Sequence, residues 1–253
     1  WQACGRQCLW QPDPKPFRIR RERMPSACRD ANMHAQPHFS TDQERFWAGA
    51  FGDEYVDRND CEQTVVANTV LFADVLRRAE AVDSIIEFGA NIGMNLHALH
   101  RLLPHAALDG VEINRRAADR LRESGFVDVI EESILEFAPR QTYDLALIKG
   151  VLIHIDPDRL LDVYDRLYAS SRRYVCLIEY YNPTPVAVKY RGHAGMLFKR
   201  DFAGEMLDRF ADLRLVDYGF VYHRDRFPQD DLTWFLMEKR SLENECSSAA
   251  VPR

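Results

Sequence analysis

The sequence has no hydrophobic run of the roughly 18 residues that a membrane-spanning helix needs. Its first residues also lack the short apolar segment and the small-residue cleavage site of a secretory signal. Six cysteines are present, but four of them lie towards the chain ends, which is not the spacing of a disulfide framework. We therefore expect reduced thiols in a cytoplasmic protein that has no membrane partner.

The sequence also lacks any grouping of His, Cys, Asp and Glu with the spacing of a metal site, so we expect no bound metal. Its formal net charge of −6 disfavours a nucleic-acid partner. With 253 residues, 46% of them hydrophobic, the chain can bury one substantial core. These observations indicate one catalytic domain, which we place at residues 41–240.

The two ends of the chain differ from its centre. Residues 1–40 contain seven Lys and Arg against three Asp and Glu, five prolines and no apolar periodicity. We interpret them as a flexible basic leader, and the alternative is a basic arm that binds an acidic partner. Residues 241–253 are interpreted as a similar tail.

Short apolar strands alternate with helices through the centre of the chain, which predicts a parallel sheet with helices on both faces. The last two predicted strands are joined by about nine polar residues, too few for a helical crossover, so they should pair antiparallel. A seven-stranded, mostly parallel sheet with an antiparallel last strand is the Rossmann-like α/β fold of class I methyltransferases. The predicted strands are 84–88, 107–111, 127–131, 143–148, 174–178, 213–222 and 232–238, and the predicted helices are 42–58, 62–80, 94–103, 115–124, 158–169 and 200–210.

A glycine-containing turn follows the first predicted strand, in residues 85–95 (IIEFGANIGMN). In open α/β sheets, ligands bind where such a turn leaves the carboxyl end of a strand. Gly89 and Gly93 let the backbone approach a ligand and let the helix pack close to the strand. Asn91 replaces the middle glycine of an E/D-x-G-x-G-x-G motif, and Asn tolerates positive φ better than other non-glycine residues.

Glu87, two residues before the first glycine, separates two classes of cofactor. A dinucleotide needs G-x-G-x-x-G spacing and places its pyrophosphate at the start of the helix, where the Glu87 carboxylate would repel it. A cationic sulfonium that carries an ammonium group would be attracted instead. The turn therefore favours S-adenosylmethionine, held by Glu87, Gly89, Asn91, Gly93 and Asn95.

Three further strand ends complete the predicted cofactor site. Glu112 and Ile113 end the second strand, where a carboxylate can accept both ribose hydroxyls. Ser133 and Ile134 follow the third strand and could flank the adenine, and Lys149 ends the fourth strand beside the sulfonium. In this order and spacing, the features predict an S-adenosylmethionine-dependent methyltransferase.

Two other classes of function stay open. A nicotinamide-dependent oxidoreductase shares the strand, turn and helix, although the glycine spacing and Glu87 count against it. A cofactor-binding subunit that has lost its chemistry would bind the cofactor tightly and turn nothing over.

The candidates for the transfer step follow the fourth and fifth strands. His154 titrates near neutrality and could act as a general base, or it could orient the start of the next helix. Tyr180 and Tyr181 leave the fifth strand at the edge where such sheets bind substrates, or they cap the core. On the N-terminal helix, Tyr55 and Arg58 could cover the cofactor, with Arg58 on the methionyl carboxylate, or the helix could serve packing alone.

Residues 183–198 are rich in glycine, proline and cations, and we predict that they form a loop. Such a loop could close over an acceptor and hold a carboxylate or phosphate, with Arg191 in bidentate contact. An ordinary solvated loop is the alternative. The acceptor-binding candidates are Asn182, Lys189, Tyr190, Arg191 and His193.

Four segments carry a resemblance to a known family: residues 46–59, 87–95, 149–157 and 179–202. They resemble the pseudaminic acid biosynthesis-associated methylases, and the resemblance spans residues 42–240. It implies a small-molecule acceptor, an anionic sugar or nucleotide sugar of surface glycans, methylated on N or O. A natural-product acceptor is the alternative, and the sequence leaves a homodimer open.

Overall fold

The computed structural model describes residues 39–59 and 61–240, so most of the predicted leader and all of the predicted tail lie outside the described residues. The helices are α1 (Asp42–Ala48), α2 (Ala50–Asn59), α3 (Glu62–Leu76), α4 (Met94–Leu102), α5 (Arg115–Arg122), α6 (Leu160–Ser170) and α7 (Phe202–Arg209). The strands are β1 (Ser84–Phe88), β2 (Ala107–Glu112), β3 (Asp128–Glu131), β4 (Tyr143–Lys149), β5 (Ser171–Glu179), β6 (Val186–Tyr190), β7 (His193–Lys199), β8 (Leu213–Val221) and β9 (Leu232–Lys239).

Seven of these strands form one sheet in the order β3-β2-β1-β4-β5-β9-β8. The five strands from β3 to β5 are parallel, and β9 runs antiparallel to both β5 and β8. The predicted mostly parallel sheet with an antiparallel last strand is confirmed. Phe88 pairs with Val111 of β2 and Ile148 of β4, so the carboxyl ends of three strands meet at one edge.

Alternate residues of the central strands pack on opposite faces of the sheet. Ile86 and Ile148 belong to a buried cluster that includes residues of α6 and α7, and Ile85 and Leu147 belong to one that includes residues of α3 and α4. Because both faces are covered, the strands read as nearly continuous apolar runs in the sequence. The two layers fix the strand ends on which the site is built.

The predicted N-terminal helix is two helices, because Gly49 between them has an extended conformation with φ −101° and ψ −158°. The predicted helix 62–80 ends earlier, at Leu76. The predicted helix 158–169 begins as an α-helix at Leu160, after a 3₁₀ turn over Pro157–Arg159. A proline at the first position and an Asp156 side-chain cap explain that tight start.

The loop predicted at 183–198 is wrong, because most of that segment forms the antiparallel hairpin β6-β7. Its turn contains Arg191 and Gly192, both with positive φ (46° and 87°), which is the backbone that a tight two-residue hairpin turn requires. The cations of the segment therefore lie at the tip of a hairpin. None of the described helices is long and apolar enough to cross a membrane.

Candidate cofactor and acceptor site

The turn between β1 and α4 has three residues with positive φ: Gly89 at 75°, Asn91 at 49° and Gly93 at 83°. A Cβ on Gly89 would lie 2.5 Å from a methyl of Val151, and a Cβ on Gly93 would lie 2.4 Å from a methyl of Leu121. Both glycines are therefore required by conformation and by space. Asn91 adopts the left-handed conformation that its place in the motif demands.

Glu112, the last residue of β2, holds the two loops beside it. Its buried carboxylate accepts hydrogen bonds from the backbone amides of Asn91 and Asn114, each at 2.7 Å. Burial raises the pKa of Glu112, although the backbone hydrogen bonds oppose the shift. Each carboxylate oxygen keeps a second acceptor position, so Glu112 can hold both loops and still bind hydroxyl groups.

Glu87 is fully buried and accepts a 2.5 Å hydrogen bond from the Asn95 side-chain nitrogen. Burial raises its pKa to about 8, with the Asn95 hydrogen bond and the charge of Lys149 acting in the opposite direction. Glu87 Oε2 and Asn95 Oδ1 have no hydrogen-bond partner. Two acceptor atoms therefore remain unsatisfied beside each other under the glycine turn.

Lys149 and Glu179 end the neighbouring strands β4 and β5. Burial lowers the pKa of Lys149, while the charges of Glu87, Asp230 and Glu179 raise it. Glu179 Oε1 accepts hydrogen bonds from the amides of Val151 and Leu152, both at 2.9 Å, and burial raises its pKa to about 7. Glu179 thus fixes the backbone that leads to His154.

A cavity of about 200 Å³ opens above these strand ends. Ten of the residues predicted from the sequence line it, and Glu87 and Gly93 adjoin it. The ten are Tyr55, Gly89, Asn91, Asn95, Glu112, Ile113, Ser133, Ile134, Lys149 and His154.

The remaining predicted residues do not line this cavity. Arg58 is exposed and pairs with Glu54 on its own helix at 3.3 Å. Tyr181 is 45% exposed, and the Asn182 amide donates to the Thr184 carbonyl oxygen within a local turn. The others lie at the outer edge: Tyr180, Lys189, Tyr190, Arg191 and His193.

The roof of the cavity comes from α1, the first part of the predicted helix 42–58, although the residues predicted on that helix were Tyr55 and Arg58 and not Glu44. Glu44 Oε1 accepts a hydrogen bond from the Ser133 hydroxyl at 2.5 Å, and Glu44 Oε2 accepts from the Thr41 amide at 2.8 Å. Thr41 caps the helix in return, which completes a capping box. The T-x-x-E spacing was a usable signal for this helix start, but not for the contact with Ser133.

An aromatic cluster joins the roof to the hairpin. The ring of Trp47 lies 4.7 Å from that of His154 and 5.2 Å from that of Tyr55, and the rings of His154 and Tyr190 are 4.8 Å apart. The Gln43 amide donates to the Gly195 carbonyl oxygen at 2.8 Å. The helix α1 and the hairpin β6-β7 are therefore packed together beside His154.

His154 is held from the hairpin side as well. Its Nδ1 lies 2.5 Å from the Met196 carbonyl oxygen, which can only accept, so Nδ1 carries the proton and Nε2 keeps its lone pair. Burial lowers the pKa of His154 to about 4. The imidazole is neutral at pH 7, in the tautomer that a base acting through Nε2 needs.

Unsatisfied polar atoms concentrate at this cavity. Of seven buried side-chain atoms without a hydrogen-bond partner among the described residues, six belong to residues of the cavity wall or the strand ends beneath it. Such atoms are costly unless a ligand or water completes them. The six are Gln43 Oε1, Trp47 Nε1, Asn68 Nδ2, Glu87 Oε2, Asn95 Oδ1 and Glu179 Oε2.

No group of three His, Cys, Asp or Glu side chains among the described residues could hold a metal ion. The described cysteines, Cys61 and Cys176, are both free thiols.

No family model matches the chain, and no curated protein does. Solved structures share its fold. The Burkholderia thailandensis 1,6-didemethyltoxoflavin-N1-methyltransferase, with bound 1,6-didemethyltoxoflavin and S-adenosylhomocysteine, is 16% identical with a TM-score of 0.58, over 78% of this chain and 87% of that one. A Synechocystis magnesium protoporphyrin IX methyltransferase with bound S-adenosylmethionine is 12% identical with a TM-score of 0.56, over 80% of this chain and 100% of that one.

The mitomycin 7-O-methyltransferase is 13% identical with a TM-score of 0.57, and the match covers 79% of this chain and 61% of that one. At these identities the likeness concerns the fold. The described residues have the Rossmann-like α/β fold of class I methyltransferases.

Proposed function

We propose that this protein is an S-adenosylmethionine-dependent methyltransferase that acts on N or O of a small molecule. The observation that carries the proposal is the pair of buried carboxylates, Glu87 and Glu112, on either side of the glycine turn. One has an unsatisfied oxygen beside the unsatisfied Asn95 Oδ1, and the other lines the cavity at the end of β2.

These groups suit a cation and a ribose better than a pyrophosphate. Glu87 Oε2 and Asn95 Oδ1 would accept from the ammonium of the cofactor, and Glu112 with Ile113 would accept the ribose hydroxyls. Ser133 and Ile134 would flank the adenine under the roof formed by α1. When bound, the cofactor supplies a methyl group already activated for displacement.

The remaining work of this chain is to orient the acceptor and remove a proton where one must leave. We assign the base to His154, whose Nε2 keeps its lone pair because Nδ1 is bonded to the Met196 carbonyl oxygen. Tyr55 lines the cavity together with Lys149, and Tyr180 lies outside it, near Tyr55. A base with a pKa of about 4 is weak, which favours acceptors whose own proton is acidic or already lost.

For the acceptor we propose an anionic sugar or nucleotide sugar, the class that the family resemblance implies. The support is positional, since the hairpin tip carries Lys189, Arg191 and His193 beside the cavity roof. His193 packs against Phe46 and Phe51 of the roof at 5.0 and 5.9 Å. A cationic tip at this place could hold a carboxylate or phosphate through charge-assisted hydrogen bonds.

Calorimetric titration with S-adenosylhomocysteine and with NAD⁺ tests the cofactor class. We expect binding of the first alone, and binding of NAD⁺ alone would return the oxidoreductase alternative. Incubation with methyl-labelled cofactor and a panel of CMP- and UDP-linked amino sugars, read by mass spectrometry, tests the acceptor. Tight cofactor binding with no product from any acceptor class, natural products included, would favour the subunit that has lost its chemistry.

A further inference from the structure

Asn68 is a fully buried amide in the middle of α3, and it lines the cavity. Its Oδ1 accepts a hydrogen bond from the Gln229 side-chain amide at 2.9 Å. Its Nδ2 has no hydrogen-bond partner. A buried amide donor without an acceptor is uncommon, and at a cavity wall it indicates that a ligand atom completes it.

The side chains that line the cavity with Asn68 indicate which chemical group of the ligand its amide would bind. Thr64, one helical turn earlier, and Lys149 line the same cavity, and their side chains carry a hydroxyl and an amine. A hydroxyl, an amide nitrogen and an ammonium are three donors, which suits a carboxylate. The unsatisfied acceptors of Glu87 and Asn95 suit an ammonium, and the charge of Lys149 acts on Glu87 from the next strand. The donors would bind the carboxylate of an amino acid, and the acceptors would bind its ammonium group.

Gln229 connects Asn68 on α3 to the segment between β8 and β9. It lies in the segment 222–231 between β8 and β9, immediately before Asp230. The Asp230 carboxylate interacts electrostatically with Lys149, Tyr55 and Tyr180. The hydrogen bond from Gln229 to Asn68 therefore holds in place the segment that brings the Asp230 carboxylate near Tyr55, Lys149 and Tyr180.

We propose that Asn68 binds the amino-acid carboxylate of the cofactor through Nδ2 and positions the segment 222–231 through Oδ1. A carboxylate accepts hydrogen bonds and cannot donate them, so it requires Nδ2 to face the cavity. That orientation leaves Oδ1 towards Gln229. Asn68 already has this orientation in the structure, with Oδ1 accepting from Gln229. Cofactor binding therefore reinforces the orientation and, through Gln229, stabilises the segment that carries Asp230. The inference rests on the proposed function, because it takes S-adenosylmethionine as the cofactor.

The test compares S-adenosylhomocysteine with 5′-methylthioadenosine, the same thioether nucleoside without the amino-acid group. Asn68→Asp keeps an oxygen for Gln229 but replaces the donor by a carboxylate. Calorimetry should give about 30-fold weaker S-adenosylhomocysteine binding to Asn68→Asp and a change of less than about threefold for 5′-methylthioadenosine. Gln63→Glu, an exposed amide-to-acid change on the same helix, is the matched control and should bind both like the wild type.

Hydrogen exchange tests whether Asn68 positions the segment 222–231 when the cofactor binds. S-adenosylhomocysteine should slow exchange of the backbone amides in residues 222–231 of the wild type, and 5′-methylthioadenosine should not. In Gln229→Leu the slowing should disappear while S-adenosylhomocysteine still binds. Thermal melting of each variant verifies that it is folded.

Different results overturn different statements. Unchanged S-adenosylhomocysteine affinity in Asn68→Asp, or an equal loss for both nucleosides, overturns the carboxylate contact. Slowing that persists in Gln229→Leu overturns the link to the segment. A wild-type protein that binds neither nucleoside overturns the proposed function and this inference together.

Discussion

The Ser133 hydroxyl donates a 2.5 Å hydrogen bond to Oε1 of Glu44, a residue 89 positions earlier in the chain. Through this contact the first helix is fixed to the end of β3, and the strand ends acquire a roof. The contact has a measurable consequence, because Glu44 also accepts hydrogen bonds from Ser40 and Thr41 at the start of α1.

Glu44→Ala should lower the free energy of unfolding by about 2 kcal/mol, since a capping box and a buried hydrogen bond are lost together. Ser133→Ala removes the contact with Glu44 and also the acceptor of the Leu135 amide, and it should cost about 1–2 kcal/mol. Urea denaturation of the two single variants and of the double variant isolates the helix start, because Ser133→Ala has already removed the shared contact. A double variant as stable as Ser133→Ala would mean that Glu44 contributes nothing to the helix start.

Glu112→Ala should weaken S-adenosylhomocysteine binding by about 1–3 kcal/mol, because the ribose hydroxyls lose a charged acceptor. The same change leaves the amides of Asn91 and Asn114 without their acceptor, so the melting temperature should also fall. Calorimetry on the folded variant separates the two effects. Unchanged affinity would remove Glu112 from the cofactor site.

Cofactor affinity should depend on pH through Glu87. Without ligand, burial raises the pKa of Glu87 to about 8, so the carboxyl group is mostly protonated at neutral pH. An adjacent ammonium favours the ionised form and lowers that pKa, so binding releases a proton. S-adenosylhomocysteine should therefore bind more tightly as pH rises from about 6 towards about 8, and the increase should level off above that range.

Calorimetry in buffers of different ionisation enthalpy measures the released proton directly. Glu87→Gln has no proton to lose and should show neither the release nor the pH dependence. A wild-type affinity that is constant across the same range would show that Glu87 does not contact the charged group.

Two further variants separate acceptor binding from chemistry. Arg191→Ala should raise the acceptor KM by about 5- to 150-fold, which is about 1–3 kcal/mol in free energy, and leave S-adenosylhomocysteine affinity unchanged. Arg191 has a φ of 46°, which is as strained for Arg as for Ala, so the substitution tests the side chain alone. His154→Ala should lower kcat by about 100-fold with little change in KM if this residue is the base.

Steady-state kinetics of the two variants with one identified acceptor gives the comparison. A wild-type KM in Arg191→Ala would direct attention to Arg58 on α2. A wild-type kcat in His154→Ala would leave the imidazole with a structural role, joining the roof to the hairpin.

The sequence predicted the sheet and the glycine turn because their signals are local. The apolar strands, the acid before Gly89 and the strand-end Glu112 can each be read within a few residues. The hairpin β6-β7 was missed because its exposed Val186 and Val188 give no buried alternation to read. Hydrophobic patterns identify strands that are buried, and most residues of this hairpin are exposed.

The contacts that hold the roof in place, and the side of the cavity formed by α3, could not be predicted for a different reason. Gln43 contacts Gly195 across 152 residues, and Asn68 contacts Gln229 across 161. Such pairs form only after the sheet has brought distant segments together. Asn68 did leave one trace, since a polar residue occupies the otherwise apolar stripe of its helix.

Two of the contacts that attach the hairpin to the rest of the site use carbonyl oxygens, those of Gly195 and Met196, which accept from Gln43 and His154. Carbonyl oxygens belong to every amino acid, so these attachments do not depend on which side chains the hairpin carries. Substitutions of the exposed Lys189 and Arg191 therefore change the charge of the tip and keep these two contacts, whereas His193 also packs against Phe46 and Phe51. The charge that the hairpin presents beside the cavity can thus diverge during evolution without rebuilding the cavity.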